Sequence, residues 1–194
     1  DALAENGGGG PGSGVSQDQR RALARTTQRH AFGWLVAANL VGLGLSLILI
    51  WPELNDLMAP LTYGRWMPVH LNGQLYGWCA LPLVGLLLFA FLDLRHPQAV
   101  IHAQIALAAW TLALVAGSAS WLMGNTSGKL FLDWQGWARP LLPAAMVVLW
   151  TVLAAHGWWC WRVRTGGPTA PRDTWTHAMR AGLLSMLLPL PALI

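Results

Sequence analysis

MPVHLNGQLYGWCALPLVGLLLFAFL, residues 67–92, carries no Asp, Glu, Lys or Arg and is the stretch on which the fold turns. An α-helix needs about 20 apolar residues to cross a bilayer, and this run exceeds that length. It therefore reads as a membrane-spanning helix. Its first third is different from the rest: His70 stands beside Asn72, Gln74 and Tyr76, ahead of an almost unbroken series of Leu, Val, Ala, Phe and Gly. An ionisable side chain inside a membrane segment is costly, which makes His70 the first candidate for a functional group.

The composition of the whole chain points the same way. Apolar residues make up 55% of the 194 and charged residues only 10%, against about a quarter charged in soluble domains. Many of the 13 Trp residues fall at the ends of the apolar runs (Trp51, Trp66, Trp134, Trp137, Trp158, Trp159 and Trp161), where an amphipathic ring prefers the headgroup layer. The formal charge of +4 is spread over short loops with no basic face, which argues for membrane orientation and against nucleic-acid binding. Cys79 and Cys160 fall at opposite depths and read as separate packing thiols.

Four further segments follow from the same reading. Residues 1–19, with GGGGPGSG at 7–14, cannot bury enough apolar surface to order themselves and read as a flexible tail. The remainder, 20–194, reads as an all-α polytopic bundle with spans at 31–51, 67–92, 99–123 and 140–161 and the start of a fifth at 181–194. That last run is too short to cross on its own, and the expectation is that its continuation lies on missing sequence or a companion chain. With Arg20, Arg21, Arg25 and Arg29 placed on the cytoplasmic side, nine of the 12 basic residues fall inside, as the positive-inside rule requires. The expected location is the inner membrane of a bacterium, with the N-terminus cytoplasmic.

This topology assigns a depth to each histidine. His70 lies in the outer part of the second span, while His30, His96, His102, His156 and His177 fall near the inner face. Most of the hydrophobic thickness separates His70 from the others, so no second histidine of this chain can share a metal with it. His70 is then either a helix-packing polar residue or one ligand of a group completed elsewhere. His102 and His156 could pair near the inner face, whereas His30, His96 and His177 read as solvated. There is no HExxH, no CxxC, no phosphate-binding loop and no Ser, His and acid set in one aqueous cleft.

PVHLNGQLYGW, Pro68–Trp78, resembles the second helix of the catalytic subunit of haem-copper oxidases, closest to the branch of the cbb3-type oxidases and nitric oxide reductases. There a His followed by Thr-Asn or Thr-His binds the low-spin haem; Leu71 replaces the Thr and Asn72 matches. SGKLFLDW (Ser127–Trp134) and ARPLLPAAMVVLW (Ala138–Trp150) are similar as well, and the likeness spans roughly Arg29–Trp161. The resemblance implies that His70 is one axial ligand of a low-spin haem b, with Asn72, Gln74 and Tyr76 as candidates for contacts around it. It implies that the second axial histidine, the high-spin haem and copper lie outside this chain, on the remainder of the subunit or a companion membrane chain. Other respiratory subunits, with cytochrome c or quinol as donor, and oxygen or nitric oxide as substrate, complete what it implies. Two rivals remain: a haem-free membrane subunit of a respiratory complex, and a small cytochrome b with an inner-face haem between His102 and His156.

Overall fold

The computed structural model describes residues 13–92 and 96–164 together with Ala181 and Ser185; side chains are described from residue 17 and as far as 159 in the last helix. The expected fifth segment apart from Ala181 and Ser185, together with His177 and the side chain of Cys160, lies outside the described residues. Among the described residues six α-helices occur in the order α1 (Ser13–Ile50), α2 (Glu53–Leu57), α3 (Tyr63–Asn72), α4 (Ala80–Phe91), α5 (Ala99–Leu122) and α6 (Leu141–Arg164). A π-helical segment, Gly73–Cys79, joins α3 to α4 into one rod, and a single 3₁₀ turn, Gly136–Ala138, precedes α6. No strand occurs among the described residues. The chain is an all-α bundle, and four of its helices are long and apolar enough to cross a membrane: Gln17–Ile50, Tyr63–Phe91, Ala99–Leu122 and Gly136–Trp159.

The outward surface identifies the solvent. Leu40, Leu43, Leu83, Leu86, Leu112 and Val115 all stay exposed, whereas a soluble monomer rarely leaves so much contiguous apolar area uncovered. Lipid removes that penalty. We call the end of the bundle marked by Ile50, Tyr63, Leu122 and Leu141 the upper end, and the opposite one the lower.

α1 departs from expectation. It begins at Ser13, inside the stretch expected to be a tail and well before the expected start at 31. Its buried or core-packed positions are Thr27, Ala31, Trp34, Ala38, Val41, Leu45 and Ile48, alternating steps of four and three as a seam facing a neighbouring helix requires. The stripe continues downward to Leu23, 1% exposed, while Arg20, Arg21, Arg25 and Arg29 stay on the exposed side. A cluster of charges ends an apolar run in the sequence without ending the helix, because one face suffices to hold α1 on its neighbours. Arg20 lies over the Phe89 ring at 4.9 Å, a cation–π contact that fixes the lower end.

α1 packs along the whole α3–α4 rod and also touches α5; α5 in turn packs on α6. Gly73 and Gly77 of the π segment face Trp34, and a methyl added at Gly77 would stand 2.5 Å from its Cγ. The GxxxG pair thus admits an indole rather than a bare backbone. Cys79, expected to pack, is exposed. At the upper end Arg65 donates from Nη1 to the Leu122 carbonyl at 3.0 Å, tying the start of α3 to the end of α5.

The α5–α6 connection is built around Asp133, which is fully buried. Its carboxylate accepts from the Ser127 amide at 2.8 Å, the Ser127 hydroxyl at 2.6 Å, the Gly128 amide at 3.2 Å, Gln135 at 3.2 Å and the Thr126 hydroxyl. Its own carbonyl receives the Trp121 indole N–H at 2.6 Å.

Candidate functional site

His70 lies seven residues below Tyr63, about 10 Å along the rod at 1.5 Å per residue. Its Nδ1 stands 2.8 Å from the carbonyl of Ala38 on α1. A carbonyl can only accept, so Nδ1 carries the proton and donates; of the two neutral tautomers, the bond selects the one whose Nε2 is unprotonated. No hydrogen bond reaches Nε2 among the described residues. This is the arrangement that orients a metal-ligating histidine: one ring nitrogen held by a carbonyl, the other free to bind. Gly42, one turn above Ala38, provides the space. A Cβ there would lie 2.5 Å from His70 Cε1 and 2.8 Å from Nδ1.

The residues expected around His70 do not converge on one point. Gln74 lies one helical turn from His70 and reaches the same helix, donating from Nε2 to Asn39 Oδ1 at 2.9 Å. Asn72 is fully buried and donates back to the Pro68 carbonyl of its own helix at 2.8 Å; its Oδ1 has no partner. Tyr76 contributes its backbone carbonyl, which accepts from the Trp110 indole at 2.9 Å. Nothing in the sequence marked Ala38 or Asn39, and Gly42 read only as a small residue that lets helices approach; the part of each depends on how α1 is rotated against α3.

These features fit a haem on one side: an imidazole with a fixed ring plane and an Nε2 that no hydrogen bond reaches among the described residues. The apolar groove beside α1, lined by Val41, Gly44, Ile48, Met58 and Trp66 among others, offers no cradle for the flat macrocycle: it has a volume of about 270 Å³ and does not reach His70. Ligand sites usually start at about 300 Å³. His70 is half-exposed on the α1–α3 seam, so a group bound to it would lie against the outside of this bundle.

Of the other histidines, His30 and His96 are placed differently from expectation. His30, expected to be solvated, places Nδ1 2.6 Å from the hydroxyl of Thr111, twelve residues into α5. His96, also expected to be solvated, is half-buried and stacks on Trp159 with centroids 4.3 Å apart and planes 4° from parallel. His102 and His156 do meet, Nδ1 to Nε2 at 3.0 Å, and His156 is fully buried rather than in reach of interfacial water. Such a distance is a direct hydrogen bond. Two axial ligands at about 2 Å each from one metal would stand about 4 Å apart across it. No group of three or more His, Cys, Asp or Glu among the described residues is placed to hold a metal ion.

The His102–His156 pair is instead a tie between α5 and α6. A double-mutant cycle with His102→Phe and His156→Phe is expected to give a coupling of about 0.6–1.7 kcal/mol, the range found for side-chain hydrogen bonds between membrane helices. Reversible unfolding of the four variants in mixed micelles measures it, and additivity within error would remove the tie.

No family model matches the chain, and no curated protein or solved structure matches it.

Proposed function

We propose that this chain contributes His70 as one axial ligand of a low-spin haem b in an electron-relay role, beside a haem-copper centre on a companion polypeptide that reduces oxygen or nitric oxide. The carrying observation is the 2.8 Å bond from His70 Nδ1 to the Ala38 carbonyl, because it selects the tautomer whose Nε2 is free to ligate. Supporting it is the half-exposed position of the ring on the α1–α3 seam, where a second polypeptide can supply the opposing ligand. Iron bound there would add one-electron redox chemistry, with a potential set by the axial ligands and their hydrogen bonds. Ala38 holds the imidazole plane, Gly42 leaves room for it, and the carbonyl bond raises the basicity of Nε2. The chain has no reducing centre of its own under this reading.

The same reading places the lower, arginine-bearing end of α1 in the cytoplasm of a bacterial cell and the Asp133 loop outside. Cytochrome c or quinol is then the donor to the assembled complex. A haem-free subunit, in which His70 only ties α3 to α1, uses the same hydrogen bond. A reduced-minus-oxidised spectrum of the purified complex separates the two. His70→Ala is expected to abolish the low-spin b-type signal while the subunits stay together; an unchanged signal would sink the haem assignment.

A further inference from the structure

Asn39 of α1 and Gln74 of the π segment form a carboxamide pair, Gln74 Nε2 to Asn39 Oδ1 at 2.9 Å, on the outside of the bundle. Asn39 is exposed and Gln74 half-buried. Each lies eleven residues below the upper end of its helix, Ile50 and Tyr63, or about 16 Å along it. That is half of the roughly 30 Å hydrocarbon layer, so the pair faces lipid near the bilayer midplane.

The single bond between them leaves most of their capacity unused. Each amide has two N–H donors and a carbonyl acceptor, and among the described residues neither makes a second hydrogen bond. Other exposed polar side chains in the spans behave differently. Ser46 returns its hydroxyl to the Gly42 carbonyl at 2.9 Å and Thr151 to the Val147 carbonyl at 2.8 Å, so each is satisfied within its own helix. Exposed Gln104 lies five residues from the lower end of α5, close enough to reach water. Set beside Ser46, Thr151 and Gln104, the Asn39–Gln74 pair is the one that holds open donors and acceptors on the outer surface at a depth where neither water nor lipid can answer them.

We infer that the α1–α3 seam at Asn39 and Gln74 is the docking face for a transmembrane helix of a companion polypeptide, one that presents an Asn, Gln, Ser, Thr or His side chain at the midplane. Two features favour a helix as occupant. The open groups are amides, which pair with like groups across closely packed membrane helices. Around them Val36, Leu40 and Leu43 offer only apolar contact. Preferring a companion over a second copy rests on the proposed function, since the group held by His70, one turn above Gln74, needs a second polypeptide on this same face.

The full chain in phosphatidylcholine vesicles, fluorescently labelled, is titrated with a Lys-flanked 20-residue poly-Leu peptide carrying one central Asn, and with its all-Leu parent. The Asn peptide is expected to bind about tenfold more tightly than the parent, and Asn39→Leu/Gln74→Leu is expected to erase that difference. Leu at these positions removes one hydrogen bond across the α1–α3 seam but leaves its buried contacts at Trp34, Ala38 and Gly73 in place, and the comparison of two peptides on the wild-type chain requires no variant. Equal binding of the two peptides overturns the proposal. Transfer between two labelled copies of the chain that disappears in the double variant also overturns it, by giving the seam to a second copy. None of these readouts needs haem, so a failure here and a failure of the His70 spectrum are separate results.

Discussion

Asp133→Ala is expected to lower stability by about 3 kcal/mol and to release the loop between α5 and α6. The carboxylate is fully buried and gathers two backbone amides, two hydroxyls and the Gln135 amide around one group. Removing it takes the acceptor from the Ser127 amide and the Ser127 and Thr126 hydroxyls, while the Gly128 amide keeps the Thr126 hydroxyl at 3.2 Å and Gln135 keeps the Ser127 hydroxyl at 3.4 Å; a buried donor left unmade costs about 1–3 kcal/mol. Partial recovery by water at this end of the bundle keeps the total below the sum. Leu132 adds to the effect: its φ of 55° lies in a region uncommon for side chains other than Gly, and the adjacent Asp133 bonds hold it there. Hydrogen exchange at Ser127 and Gly128, together with the apparent melting temperature in detergent, measures the loss; protection equal to wild type would refute it.

The same residue sets an acid limit. Burial pushes the Asp133 carboxyl up from its ordinary 3.8, but the hydrogen bonds from Ser127, Thr126 and Gln135 together outweigh it and leave the value lowered. A carboxylate depressed in the folded state stabilises fully above its unfolded value, and the stabilisation is lost as pH falls through the folded one. Loop protection should therefore be flat above about pH 4 and decline below it. In Asp133→Asn that acid decline should be absent.

Gly42→Ala is expected to have the largest effect at the His70 site among substitutions that leave every polar group in place. The added methyl would sit 2.5 Å from Cε1 and 2.8 Å from Nδ1 of His70, closer than any packing tolerates, so the ring must swing out. The Ala38 bond then breaks. Overpacking of this kind costs about 1–3 kcal/mol, and loss of the bond orienting a metal ligand typically weakens metal affinity about 10–100-fold. On the proposed function, the low-spin b-type signal of the complex should fall steeply although His70 is intact, while Gly44→Ala, where a Cβ meets nothing within 4 Å, should leave it unchanged. Equal signals in Gly42→Ala and wild type would mean that His70 is held by something other than α1.

Much of the bundle was legible in the residues alone. The second to fourth spans follow from runs without charge, because in lipid a single helix satisfies its own backbone and only its side-chain polarity decides whether it crosses. The start of α1 was not legible in this way. Arg20 to Arg29 end the apolar run, but helix formation below that point depends on Leu23 and Thr27 meeting α4, with Thr27 against Gly85, and hydropathy is blind to a neighbour. The same blindness put His30 and His96 in water, when Thr111 and Trp159 take them up.

His70 itself was singled out by chemistry that needs no neighbour: an imidazole in an apolar run is costly wherever the run goes. Its surroundings were decided by tertiary structure. The Ala38 carbonyl, the gap at Gly42 and the Asn39 amide reach His70 and Gln74 only because the rotation of α1 and its register against α3 bring positions about 28 to 35 residues apart side by side. Polarity along a chain determines which segments enter lipid; which polar groups then face one another is set by helix azimuth and register, and those are fixed by packing between surfaces that no single segment contains.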